Sequence, residues 1–142
     1  MRVFEAMSHD VTWVGPEATL ADAARLMGEH DLGPLPVCES SRLVGTLAER
    51  DIAVRAAARG RDPRTTRVAE VMTPEAACCF EADDVEQAAE LMRRERLRRL
   101  LVIDPQGHLV GSVSLGEILS TYGEENVGGG TRERLPDLPV DS

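Results

Sequence analysis

Aromatic side chains are nearly missing from this sequence. They make up 3% of it, one Trp, one Tyr and two Phe, so a core has to be assembled from Leu, Val, Ile, Ala and Met. Cysteine is also scarce: Cys38, Cys78 and Cys79 are an odd number with no C-x-x-C spacing, which gives no disulfide framework. Cys38, in the apolar run Leu35-Pro36-Val37-Cys38, reads as a small core residue. Cys78 and Cys79 are neighbours that a strand would send to opposite faces, so they are poor partners for each other or for a shared metal. No stretch approaches the roughly 20 apolar residues that span a bilayer. The opening MRVFEAMSHD has no apolar run of signal-peptide length. A cytoplasmic protein without a membrane partner is expected. Positive charge is in deficit, with 16 basic against 25 acidic residues and a net charge of −9, which argues against nucleic acid as the main partner. Catalytic signatures are missing too. There is no HExxH, no Walker-type loop and no metal-spaced cluster, and His9, His30 and His108 fall in no catalytic signature. The expectation is a protein that is not an enzyme.

What the sequence does have is a duplication. LADAARLM at 20–27 returns as VEQAAELM at 85–92, so Leu20 falls on Val85 and Met27 on Met92, an offset of 65. Met7 falls on Met72 at the same offset. Leu43-Val44-Gly45 then matches Leu109-Val110-Gly111, and Ile52 matches Ile118, at an offset of 66, so one residue is inserted between. The 142 residues are a normal length for one compact domain with a full core. Each half is therefore a supersecondary unit expected to bury its apolar face against the other, with crevices at the join where small ligands bind.

Both copies carry the same order of signals. A short extended segment is expected first, Asp10 to Val14 and Ala76 to Phe80. A helix follows, capped by Thr19 with Asp22 three residues on, and by Asp84 with Gln87 three residues on. Leu20, Ala23, Ala24 and Met27, and again Val85, Ala88, Ala89 and Met92, have the spacing of one buried helical stripe. Two strands come next, Leu35 to Cys38 and Leu43 to Leu47, then Leu100 to Ile103 and Leu109 to Val113. They are joined by Glu39-Ser40-Ser41-Arg42 and by Asp104-Pro105-Gln106-Gly107. A second helix closes each copy, from about Glu49 to Arg59 with Gly60 as its stop, and from Leu115 through Tyr122 with Gly123 as its stop. The fold class is α/β (α+β), as two pseudo-symmetric β-α-β-β-α repeats packed through their sheets. The repeats span 1–60 and 67–122, with a linker at 61–66. The tail 123–142, with its glycine run and prolines, is expected to be mobile or peripherally attached.

Together these residues resemble the CBS-domain family, in the tandem arrangement called a Bateman module, as in small stand-alone bacterial proteins. The marks are Ala6-Met7 and Val71-Met72-Thr73-Pro74 ahead of the copies, Thr19 to Ala23 at the first helix, Gly33 to Val37 in the following strand, and Gly45 to Ile52 into the second helix. The resemblance covers residues 1–122 and implies a regulatory module. Its ligand would be an adenosine compound, AMP, ADP or ATP with NAD(H) or S-adenosylmethionine in the wider class, held in clefts between the copies. It also implies pairing into homodimers and an effector protein that reads the bound state. The alternative is an interaction module with degenerate clefts that dimerises without ligand.

The family places a hydroxyl three residues after the strand glycine and an Asp six after it, facing ribose and phosphate. A carboxylate can accept from both ribose hydroxyls, as in dinucleotide folds. Copy one has Asp51 but Ala48 at the hydroxyl position, with Thr46 nearby. Copy two keeps Ser114 but has Glu117 for the Asp. Two unequal sites are expected, with the second favoured because it keeps both groups. For the adenine slot the resemblance implies Val11, Thr12, Trp13, Leu35 and Pro36 in one cleft, and Ala77, Cys78, Leu100 and Leu101 in the other. Trp13 reads first as core packing and second as a stacking surface. Arg93 and Arg94 read as a solvated helix face. Arg98 and Arg99, just before a strand, stand evenly between that and phosphate binding, for which a guanidinium fork is suited. Arg50 is the phosphate candidate of copy one, against a surface pair with Glu49.

Overall fold

In a computed structural model of the chain, residues 1–30, 34–74 and 76–127 are described. They are mixed α/β and form two compact units, Thr12–Ala76 and Met1–Val11 together with the chain from Ala77 onward. These units do not coincide with the sequence repeats. The segment leading into each copy packs in the unit built by the other copy.

In the Thr12–Ala76 unit, α1 (Leu20–His30) is followed by the antiparallel hairpin β1 (Leu35–Glu39) and β2 (Arg42–Leu47) and by α2 (Glu49–Arg55). Thr19 caps α1 as expected, its Oγ1 accepting the Asp22 N–H at 3.2 Å. The hairpin turns through Ser40 and Ser41 at φ 52° and 68°, the left-handed pair that a two-residue connection requires. The expected strand at Asp10 to Val14 does not form. Only Val14 pairs, beside β1, its N–H donating to Pro36 and its carbonyl accepting from Cys38. Upstream, the Asp10 N–H donates to the Ser8 side chain instead, which takes it out of any ladder. The second helix is shorter than expected. It ends at Arg55 and tightens into a 3-10 turn over Ala57–Arg59, with Gly60 left-handed at φ 70° as the expected stop.

In the other unit, β3 (Cys78–Phe80) runs parallel to β4 (Arg99–Ile103), and β4 pairs antiparallel with β5 (Leu109–Ser114). Helix α3 (Val85–Glu95) precedes the pair and α4 (Leu115–Val127) follows it. Gln87 Oε1 accepts the Asp84 N–H at 3.0 Å at the start of α3. α4 continues past Gly123, where its end was expected, because Gly costs a helix only about 1 kcal/mol and two helix-forming Glu follow. The rest of the expected tail, from residue 128, lies outside the described residues, as does Gly33.

The two cores are built alike and without aromatics. Leu20, Ala23, Met27, Leu35, Val37, Leu47, Val68 and Val71 fill one. Val85, Ala88, Met92, Leu100, Val102, Val113, Ile118 and the leader residue Val3 fill the other.

The leaders repeat down to single atoms. Val3–Glu5 and Val68–Glu70 are both 3-10 turns, each closed by a glutamate, Glu5 or Glu70, that accepts the N–H of Arg2 or Arg67. The Arg2 guanidinium donates to the Ala82 carbonyl and the Arg67 guanidinium to the Glu17 carbonyl, equivalent positions in the two copies. Further on, Ser8 exchanges two backbone hydrogen bonds with Ser112, at 2.8 and 2.9 Å, and Thr73 exchanges two with Thr46, at 2.8 and 2.9 Å. Arg55 adds bonds to the Val71 and Met72 carbonyls at 3.3 and 3.1 Å.

Two of the three thiols, Cys38 and Cys79, are buried. Burial pushes Cys38 up to about 11. Burial, with the Asp83 carboxylate and Cys78 adding to it, pushes Cys79 to about 12. Cys78 is raised by partial burial and by Asp83. An unfolded thiol ionises near ~8.5, so stability from the buried neutral thiols is complete below that pH and is lost as pH climbs toward the folded values. The urea midpoint should therefore fall between about pH 9 and 11, and replacing Cys38 and Cys79 by Ala should flatten that fall. An unchanged slope in the double variant would contradict this account.

Candidate functional site

Each unit carries a carboxylate at the third position of its second helix, held by the same kind of bond. In the Thr12–Ala76 unit, Ala48 precedes α2 with extended backbone, and its N–H donates to Asp51 Oδ2 at 2.8 Å. In the other unit, the Ser114 N–H donates to Glu117 Oε1 at 2.9 Å and Ser114 Oγ accepts the Glu117 N–H at 3.1 Å. The second arrangement is a full capping box, and the S-x-x-E at 114–117 is its sequence signature. Asp51 and Glu117 therefore have a structural role at the helix starts. A carboxylate still offers about four lone-pair sites, so one capping bond leaves most of its accepting capacity open.

Other proposed residues lie on or beside the strands and helices of the same units. Pro36 faces Thr46 across β1 and β2. Arg99 faces Ser114 across β4 and β5, and the Arg98 carbonyl accepts the Leu115 N–H at 3.0 Å, so Arg98 and Arg99 stand at the entry to α4. Cys78 faces Leu101 across β3 and β4. Arg50 and Arg99 are exposed, as phosphate-binding side chains need to be. Arg93 pairs with Glu90, one helical turn back, in the manner of a solvated helix face.

Some residues do not come to the site as expected. Leu35 and Leu100 lie in the two cores at 0% and 1% exposure, so only their backbones are available to a ligand. Both strands are buried along most of their length, at Leu35–Cys38 in β1 and Leu100–Val102 in β4. Val11 ends the segment that packs with Ala77 onward, whereas Thr12 and Trp13 open the other unit. Trp13 is not core packing: it is 44% exposed and belongs to neither core. Its strand does not form, so nothing fixes its side toward the interior.

Thr73 was not among the expected site residues. Its Oγ1 donates to Asp51 Oδ1 at 3.2 Å. The signal was present in Met72-Thr73-Pro74, but the contact depends on the path of a leader that returns to the first copy's hairpin.

The CBS domain model matches this chain over residues 3–57 and 68–124. The chain belongs to the CBS-domain family. It is similar to the CBS domain-containing protein YhcV of Bacillus subtilis, at 41% identity over 116 residues, covering 82% of this chain and 81% of that one. It is also similar to the crystal structure of Hypoxic Response Protein I with two coordinated zinc ions, at 33% identity and a TM-score of 0.74, covering 84% of this chain and 98% of that one. The zinc belongs to that protein; among the described residues here no group of three or more His, Cys, Asp or Glu is placed to hold a metal ion. CBSX2, crystallised in complex with AMP, shares the fold at a TM-score of 0.74 and 24% identity, over 88% of this chain and 98% of that one. No helix among the described residues is long and apolar enough to cross a membrane.

Proposed function

We propose that this protein is a regulatory module that binds an adenosine nucleotide and changes conformation or assembly on binding. AMP, ADP and ATP are the first ligands to test, with NAD(H) and S-adenosylmethionine as the wider class. The observation that carries this reading is the pair of helix-start carboxylates, Asp51 and Glu117, each fixed by a backbone N–H and each with acceptor sites left for a ribose diol. In the proposed sites Ser114 and Thr46 are the nearby hydroxyls. Arg50, Arg98 and Arg99 take phosphate, and the backbone and neighbours of Pro36, Cys78 and Leu101 receive the base. Membership in the family supports a regulatory rather than a catalytic role, and a nucleotide complex of the same fold supports the ligand class.

Thermal melting with each compound tests the reading. Ligand at about 100 times its dissociation constant adds ~2.7 kcal/mol. That should raise the melting temperature by about 5–11 °C for a chain of this size. No shift with any adenosine compound contradicts the reading.

A second reading has its own support: an interaction module that dimerises or docks an effector protein without ligand. Asp51 and Glu117 already serve as caps, and Val54 on α2 and Leu119 on α4 are large apolar side chains 51% and 50% exposed. A dimer in sedimentation that is indifferent to nucleotide, with no heat of binding in calorimetry, favours that reading.

A further inference from the structure

We propose that Thr73 is the positioning residue of the Asp51 site, supplying from the second leader the hydroxyl that Ala48 lacks. This rests on the nucleotide reading above and assigns one residue's part in it.

The geometry is specific to this unit. Asp51 receives two donors, one on each oxygen: the Ala48 N–H at Oδ2, 2.8 Å, and the Thr73 hydroxyl at Oδ1, 3.2 Å. Two fixed donors on a short side chain set both of its torsions. One lone pair remains on each oxygen, which is what a vicinal ribose diol needs to be met at both hydroxyls together.

Thr73 is itself held in place. Its backbone exchanges two hydrogen bonds with Thr46, and its β-branched side chain has few rotamers. The leader can come this close because Gly45 has no side chain: a Cβ there would stand 2.6 Å from the Thr73 carbonyl oxygen.

The other unit uses a different position for the same purpose. Ser8 is the counterpart of Thr73 and makes the equivalent backbone bonds to Ser112. Its hydroxyl, however, accepts the Asp10 N–H at 3.2 Å. There the hydroxyl at the helix start comes from Ser114 itself. Each site thus has one hydroxyl beside its carboxylate, in copy one from the leader and in copy two from the helix cap. On this account copy one is a complete site, and the Asp51 carboxylate is the more firmly oriented of the two.

The test is calorimetric titration of AMP and of 2′-deoxy-AMP in a Glu117→Gln background, so that the Asp51 site is read alone. Thr73→Val, Thr73→Ser and Asp51→Asn are compared there, with melting temperature without ligand as the check on folding. The account predicts that the parent binds AMP about tenfold better than 2′-deoxy-AMP, the size of one hydrogen bond to a charged group. Thr73→Val should weaken AMP about tenfold and bring the two ligands to within about twofold. Thr73→Ser, which keeps the hydroxyl, should restore both values. A merely structural hydroxyl would shift melting without touching ribose selectivity. Binding that Asp51→Asn abolishes but Thr73→Val leaves unchanged overturns the role of Thr73 alone. Failure of the parent to bind any adenosine compound, or binding indifferent to Asp51→Asn, overturns the nucleotide reading of this site and the role of Thr73 with it.

Discussion

Gly45→Ala and Gly111→Ala should each melt about 10 °C below the wild type. A Cβ at position 45 would stand 2.6 Å from the Thr73 carbonyl oxygen and 3.1 Å from the Met72 sulfur. At position 111 it would stand 2.5 Å from the Ser8 carbonyl oxygen and 3.1 Å from the Met7 sulfur. The methionine sulfurs can move aside, but the carbonyls cannot, because each belongs to a residue paired by two backbone hydrogen bonds to the strand beside the glycine. Relief of the overlap costs about 1–3 kcal/mol, and weakening two hydrogen bonds adds about 1–2 kcal/mol. Against a total stability of about 5–15 kcal/mol that is a large fraction. At about 2–4 °C per kcal/mol it gives the stated shift. Gly28→Ala is the control of opposite sign. Gly28 lies in α1 with nothing within 4 Å of an added Cβ, so the substitution should be neutral or stabilising by up to about 1 kcal/mol. Melting of the two strand-glycine variants within a degree or two of wild type would show that the leaders do not pack as described.

Deletion of residues 2–8 should unprotect the second repeat rather than the first. The leader's Val3 is fully buried among Val85, Met92, Leu100 and Ile118. Its backbone is bonded to Asp83, Glu81 and Ser112, and the Val85 N–H donates to Met1. Loss of one buried Val costs about 1.5–3 kcal/mol and each unmade bond about 0.5–1.5 kcal/mol, together of the order of a whole domain's stability. Hydrogen exchange resolves where the loss falls. Amides of α3, β4 and β5 should exchange at least a hundredfold faster, the effect of about 2.7 kcal/mol at ~1.36 kcal/mol per tenfold, while those of α1, β1 and β2 change far less. Deprotection confined to α1, β1 and β2, the elements next in sequence, would contradict the exchanged leaders.

The contrast between sequence position and packing partner marks what could be read beforehand. The helices α1 and α3 and both hairpins follow from local patterns: Leu20, Ala23 and Met27 share a face by helical period, and Thr19 and Asp84 stand where caps belong. The turn at Ser40-Ser41 and the stop at Gly60 are also local. The offset that aligns Met7 with Met72 reveals a repeat but not which unit each leader joins, because a repeat spacing carries no information on chain path. The Arg-Val-x-Glu-x-Met pattern at 2–7 and 67–72 was legible as a third block of the duplication, and its Arg and Glu prove to fasten the leader turns. The extended segment before α1 could not be placed, since a single paired residue, Val14, leaves no alternation to detect. At the site, Asp51, Ser114 and Glu117 were proposed from the family resemblance, which counts their positions from the strand glycine. The capping role of the two carboxylates was legible in Ser114 and Glu117 and hidden in copy one, where Ala48 breaks the signature. Thr73 was hidden for a different reason: it is separated from Asp51 by 22 residues and meets it only through the folded leader.

The most direct test of a nucleotide site at the helix-start carboxylates is an amide NMR titration of the full chain with AMP, ADP and ATP. The account predicts saturable shifts at the amides of Ala48, Asp51 and Thr73, or of Ser114 and Glu117, or at both sets. It predicts much smaller shifts along the solvent faces of α1 and α3. Spectra in which these amides stay fixed up to millimolar nucleotide, or in which only residues remote from Asp51 and Glu117 move, would contradict it.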